Sequence, residues 1–228
     1  MEQQSVQAVK LLSGKTAVVL GCPGGRVRVL TPDGWRTSDA SSHVLGGLEE
    51  TQDFGFGGSA LAVRHEVIGG SSEQLVIWFG TVSHPPSRPA HYTTTPPTGA
   101  LEDADVATGA VHRLTWIPGQ GFTASTKVTL HPTTAKPRGA YGVVGLCLTD
   151  LDPLPGGMFA GKELIVGTMS GDLIVLDADT MVEQWRTHVD GAIGWYNSII
   201  AADLNNNGKN EVYAAGSKGL WRFKQQGE

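Results

Sequence analysis

Four times along this chain a short apolar run ends in a glycine, passes a few turn-forming residues and resumes as a second apolar run. The copies are KTAVVLGCPGGRVRVL (15–30), EQLVIWFGTVSH (73–84), KELIVGTMSGDLIVLD (162–177) and NEVYAAGSKGLWRF (210–223), with anchor glycines Gly21, Gly80, Gly167 and Gly216. Runs rich in Val, Ile, Leu and Thr, bounded by Gly and polar turn formers, read as paired strands. A unit repeated in this way cannot bury its apolar residues alone, so successive copies must pack on one another. Glycine supplies 31 of the 228 residues, roughly double the ordinary usage of about 7%. It follows no G-X-Y period, so it punctuates strands and does not build a collagen-like helix.

The anchor glycines lie 59, 87 and 49 residues apart. The long gap contains a Pro- and Thr-rich insertion, 84–109, of 26 residues, and without it the gap is 61. Further apolar runs precede each template (5–12, 57–63, 141–148, 195–202) or follow it (35–45, 121–130, 182–189), and 111–117 completes the second unit. Four short strands in each unit of about 50–60 residues predict an all-β chain of β-propeller blades, each of four antiparallel strands. The blades span about 5–45, 54–130, 139–190 and 194–224 in a single domain over 1–228. The last blade lacks its outer strand, and an open sheet edge is a liability that ring closure removes. The expected arrangement is therefore part of a larger seven- or eight-bladed propeller, completed by missing sequence or by another chain. The nearest helical pattern, GGLEETQDFG, is short and broken by glycines.

Bulk properties narrow the function. A net charge of -5 and pI near 5.8, with scattered Lys and Arg, carry no nucleic-acid footprint. The longest strongly apolar runs, such as SIIAA (198–202), are too short to span a bilayer. The first fifteen residues have neither the basic start nor the apolar stretch of a signal peptide. Two cysteines exclude a disulfide framework, and Cys147, alternating with apolar neighbours, reads as a small core residue.

The chemistry concentrates in DLNNNGKNEV. Acceptors stand at every second position, Asp203, Asn205 and Asn207; Gly208 takes the bend, Lys209 offers a backbone carbonyl, and Glu211 closes the loop. Hard cations such as Ca²⁺ take six to eight oxygens of this kind. A metal-free Asx turn is the other reading, because Asn and Gly both accept positive φ and only Asp203 and Glu211 carry negative charge.

D-x-[DN]-x-[DN]-G-x-x-[DE] before an apolar strand resembles the calcium loop of FG-GAP (integrin α-type) repeats, and DFGFGGSALAV (53–63) carries that family's Phe-Gly marks. LIVGTMSGDLIVLDADTMVEQW is similar to PQQ-type propeller repeats, with Trp185 at the inter-blade place. The resemblance implies β-propeller blades with a structural Ca²⁺ between the first two strands of a blade, and an extracellular or periplasmic location. A second loop, Asp150, Asp152 and Glu163, begins in the same way before PLPGGMFAGK intrudes. The first unit has only Ser13-Gly14 at this place, and RHEVIGGSSE (64–73) in the second lacks the periodicity.

Other constellations are weaker. No HxH, HxxxH or HExxH spacing joins the seven histidines. GTMSGD is no nucleophile elbow, because it lies between strands and leads into no helix. The tryptophans serve either as packing between blades or as a sugar platform. The expected function is a non-catalytic, adhesion- or lectin-like module that binds a protein or glycan partner. The alternatives are a propeller-class enzyme fragment, of polysaccharide-lyase or quinoprotein type, and a structural subunit of a larger assembly. The 84–109 insertion is too long for an ordinary strand connection. It offers either a partner contact or a plain surface loop.

Overall fold

The described residues form fourteen strands, antiparallel in every pairing. The structure, a computed structural model, describes residues 5–22, 26–31, 60–83, 109–133, 141–152, 161–194 and 198–224. The strands are β1 (Ser5–Lys10), β2 (Thr16–Cys22), β3 (Arg26–Leu30), β4 (Leu61–Ile68), β5 (Ser72–Ser83), β6 (Gly109–Ile117) and β7 (Gly121–Leu130). They continue as β8 (Tyr141–Thr149), β9 (Glu163–Thr168), β10 (Asp172–Asp177), β11 (Glu183–His188), β12 (Ile199–Ala202), β13 (Glu211–Gly216) and β14 (Gly219–Phe223). The described residues contain no helix.

Each repeat unit becomes an up-and-down meander: β1-β2-β3, β4-β5-β6-β7, β8-β9-β10-β11 and β12-β13-β14. The two middle meanders are joined where β5, an inner strand that outruns β4, pairs with the edge strand β8, a contact the sequence gives no sign of. β5 runs beyond Gly80, so that Val82 and Ser83 pair with Gly142 and Tyr141 at the start of β8. Among the described residues no sheet closes on itself.

Side-chain parity turns the meanders into a stack. Successive residues of a strand point to opposite faces, so a sheet covered on both faces needs apolar residues at consecutive positions. On β5, Leu75, Ile77 and Phe79 enter one core with Ala17, Val19, Val27 and Val29 of the first sheet. Val76 and Trp78 enter a second with Leu164, Val166, Ile174 and Leu176. On β9 and β10, Ile165, Leu173 and Val175 enter a third with Ile199, Val212 and Ala214. The sheets therefore lie against one another in chain order, and none of these cores joins the first sheet to the last. Polar ties accompany each contact. Leu12 N donates to Glu73 at 2.7 Å, and Trp78 Nε1 donates to the carbonyl of Ala178 at 3.0 Å.

The repeated glycine has a packing cause. A Cβ on Gly80 would sit 2.3 Å from Val143 Cγ1, and one on Gly167 would sit 2.5 Å from the carbonyl oxygen of Ile193. At these points the neighbouring meander crosses too closely for any side chain.

Some expectations need correction. Residues 64–73, expected as a link between strands, instead belong to β4 and β5, which pair down to Ile68↔Ser72. Gly69 and Gly70, both at positive φ, make the turn. Gly109, counted with the insertion, opens β6. Trp185 is 40% exposed on the outermost strand of its meander and is not a packing residue. The expected strand at 35–45, the Phe-Gly marks at 54–57, the insertion over 84–108 and Trp195 lie outside the described residues.

Candidate functional site

Two inter-strand loops occupy the same place in successive meanders. Thr149 pairs with Glu163 across the β8–β9 loop, and Ala202 pairs with Glu211 across the β12–β13 loop. Asp150 and Asp203 thus follow the first strand of each pair, and an acid opens the second. The shared geometry extends to one hydrogen bond: Leu151 N donates to Glu163 Oε2 at 2.7 Å, and Leu204 N donates to Glu211 Oε2 at 3.2 Å.

Beyond that bond the two loops differ. In the later loop every carboxylate oxygen has a donor. Asn207 N donates to Asp203 Oδ1 (3.0 Å) and Asn205 Oδ1 (3.0 Å), and Gly208 N donates to Asp203 Oδ2 (2.8 Å). Lys209 N donates to Asn207 Oδ1 at 2.9 Å. Asn206 and Gly208 take the positive φ values that let the chain curl around these acceptors. Asn205 turns its amide nitrogen toward Glu211 Oε1, at 3.0 Å. Glu211 also accepts from Tyr213 Oη, and from Arg222 in an ion pair. The Arg222 hydrogen bond holds the Glu211 carboxyl below the usual range, against the opposing effect of desolvation.

In the earlier loop two buried carboxylate oxygens meet no donor among the described residues. Glu163 is fully buried, and among the described residues its Oε1 meets no hydrogen-bond donor; Asp150 Oδ1 is likewise buried without one there. Burial pushes the Glu163 carboxyl up, the Leu151 amide pulls it down, and the charges of Asp150 and Asp177 push it further up. Asp152 is buried, with Lys209 Nζ 3.6 Å from its Oδ2. Asn210 fastens the later loop onto the earlier one, donating from N to the Leu151 carbonyl (3.1 Å) and from Nδ2 to the Asp150 carbonyl (2.7 Å). Among the described residues no three His, Cys, Asp or Glu side chains converge as a metal-binding group, and 153–160 of this loop lie outside those residues.

The sequence reading did not find Arg222 or Tyr213. They stand opposite each other on β13 and β14, two positions from Glu211, and only the strand register brings them to it. It also missed a polar cluster around the buried Asp172. That residue accepts from Thr133 N (3.0 Å), pairs with His188 Nδ1 (2.9 Å) and lies 3.6 Å from Arg186. The cluster ties the stretch before β8 to the β9–β10 hairpin. His65 pairs with Glu73 at 2.7 Å. His112 is buried and pushed down to about 4, by burial first and by Lys127 second. His43, His84 and His91 lie outside the described residues. Trp78 and Trp116 are core residues. Cys147 packs, partly buried, against the third core, and burial raises its thiol. No helix among the described residues is long and apolar enough to cross a membrane.

Fold and loops define an all-β protein of stacked antiparallel meanders, with one self-satisfied and one donor-poor acidic loop on adjacent sheets. Comparison with known protein families, curated proteins and solved structures finds no match.

Proposed function

We propose that this chain is a non-catalytic interaction module whose meanders serve as β-propeller blades of FG-GAP type, and that a Ca²⁺ ion braces the loop of Asp150 and Glu163. The observation that carries the module reading is the stack in chain order, with alternate residues of β5, β9 and β10 buried on opposite sides. Such a stack ends in two outer sheet faces. Val6 (60% exposed) marks one, and Ile200 (60%) and Leu220 (73%) mark the other. Large apolar side chains left in water on an outer sheet face favour a protein partner over a glycan.

The calcium assignment rests on orphaned buried acceptors. A buried carboxylate oxygen without a donor is costly, and its remedy is a proton or a cation. Glu163 and Asp150 each hold such an oxygen, while backbone carbonyls and water complete the six to eight ligands Ca²⁺ needs. Calcium should raise the melting temperature of the intact chain, and Glu163→Gln should abolish that rise. Identical melting of the parent chain in chelator and in millimolar Ca²⁺ would remove calcium from the proposal.

A second reading, a structural subunit completed by another chain, is favoured by the three-stranded last sheet with β14 at its edge. Adding a strand to an open edge is a common route of association.

A further inference from the structure

We infer that Arg222 takes the place of a divalent cation in the Asp203–Glu211 loop, which is therefore closed by an internal ion pair and needs no metal. The inference concerns a different loop from the calcium proposal above and does not depend on it.

The loop has the acceptor spacing of a cation site, yet its acceptors are turned to other work. Both Asp203 oxygens receive backbone amides, from Asn207 and Gly208. Asn205 presents its amide nitrogen to Glu211, so its oxygen serves the Asn207 amide and does not point into a common centre. Glu211, the acid that would close a cage, is buried and takes four donors: Leu204 N, Asn205 Nδ2, Tyr213 Oη and the Arg222 guanidinium. The guanidinium also lies over the Tyr213 ring, 5.8 Å from its centroid, which holds it at the acid. A calcium ion would have to displace this cation and turn Asn205 around.

The neighbouring loop is an internal control. Register aligns Glu211, Tyr213 and Arg222 with Glu163, Ile165 and Val175. Where the later loop has an arginine the earlier one has a valine, and Glu163 is the acid left with an oxygen that no donor among the described residues meets. The same backbone position therefore carries two solutions to one problem: a resident guanidinium in one meander, and an acid awaiting a proton or ion in the other.

The test uses the intact chain and Ca²⁺ alone, with titration calorimetry and thermal melting in chelator and in calcium. In a Glu163→Gln background, which silences the earlier loop, the chain should bind no calcium. Adding Arg222→Gln should create a site, with a calcium-dependent rise of about 5–10 °C at roughly a hundredfold excess over Kd. Arg222→Lys, which keeps the positive charge, should stay silent. In the parent chain Asp203→Asn should leave any calcium response unchanged. The inference is overturned if E163Q alone retains a calcium response that Asp203→Asn removes. It is also overturned if the folded E163Q/R222Q protein binds no calcium. Should R222Q fail to fold, the Asp203→Asn comparison still decides. A parent chain that ignores calcium would defeat the earlier-loop proposal and leave this one standing.

Discussion

At the scale of single residues, the chain places negative charge at two equivalent points and treats it differently. Glu211 meets a guanidinium and sits below the usual carboxyl range; Glu163 meets one amide, burial and the charge of Asp150, and sits above it. The two acids therefore respond to pH with opposite sign. The stability Glu211 contributes is present at neutral pH and lost as pH falls through its lowered value. What Glu163 contributes is complete below the ordinary value of 4.5 and lost as pH rises through its raised one. In chelator, stability should fall across that upper window by at most about 1.4 kcal/mol per pH unit from this group. Urea unfolding at a series of pH values should show the fall in the parent chain and its absence in Glu163→Gln. The spacing of Asp203, Asn205, Asn207 and Glu211 was legible in the sequence, but the direction in which each polar atom points was not. A carboxylate, an amide and a backbone N–H can satisfy one another in several ways at the same spacing.

At the scale of the element, glycine and strand parity carry the information. Anchor glycines Gly80 and Gly167 mark the crossings where no Cβ fits, and the flanking apolar runs supply the two faces of each buried strand. Gly167→Ala would set a methyl group 2.5 Å from the Ile193 carbonyl oxygen and 2.8 Å from Ile199 Cδ1. Because one contact is backbone, the sheets must part, and the variant should lose about 1–3 kcal/mol in urea unfolding. A loss near zero would mean that the last two meanders do not pack as described. Strand positions were readable because the period of two and the turn residues are local signals. The pairing of β5 with β8 was not, since it depends on how far β5 overshoots its glycine once the second core has formed. Nor was the exposure of Trp185, which follows from its place on an outermost strand.

At the scale of the whole molecule, the stack leaves exposed apolar side chains on its outer sheet faces, Val6 at one end and Ile200 and Leu220 at the other. Leu220→Lys with Ile200→Lys, on strands of the last sheet, should leave the melting temperature within about 2–4 °C of the parent, because neither side chain lies in a core. The same pair should sharply reduce self-association or partner binding, read as the concentration dependence of light scattering. Unchanged association would direct attention away from this face.

The sequence by itself determined the all-β class, the four strand-turn-strand units and the place of each acidic loop, because these rest on periodicity and turn chemistry within a few residues. Only the tertiary structure decided which sheets face one another and which acid is satisfied. Arg222 reaches Glu211 through the register of β13 and β14, and Val175 stands at the matching place beside Glu163. Register is set by the burial of whole faces, so the electrostatics of each loop is fixed by packing that no local stretch of sequence specifies.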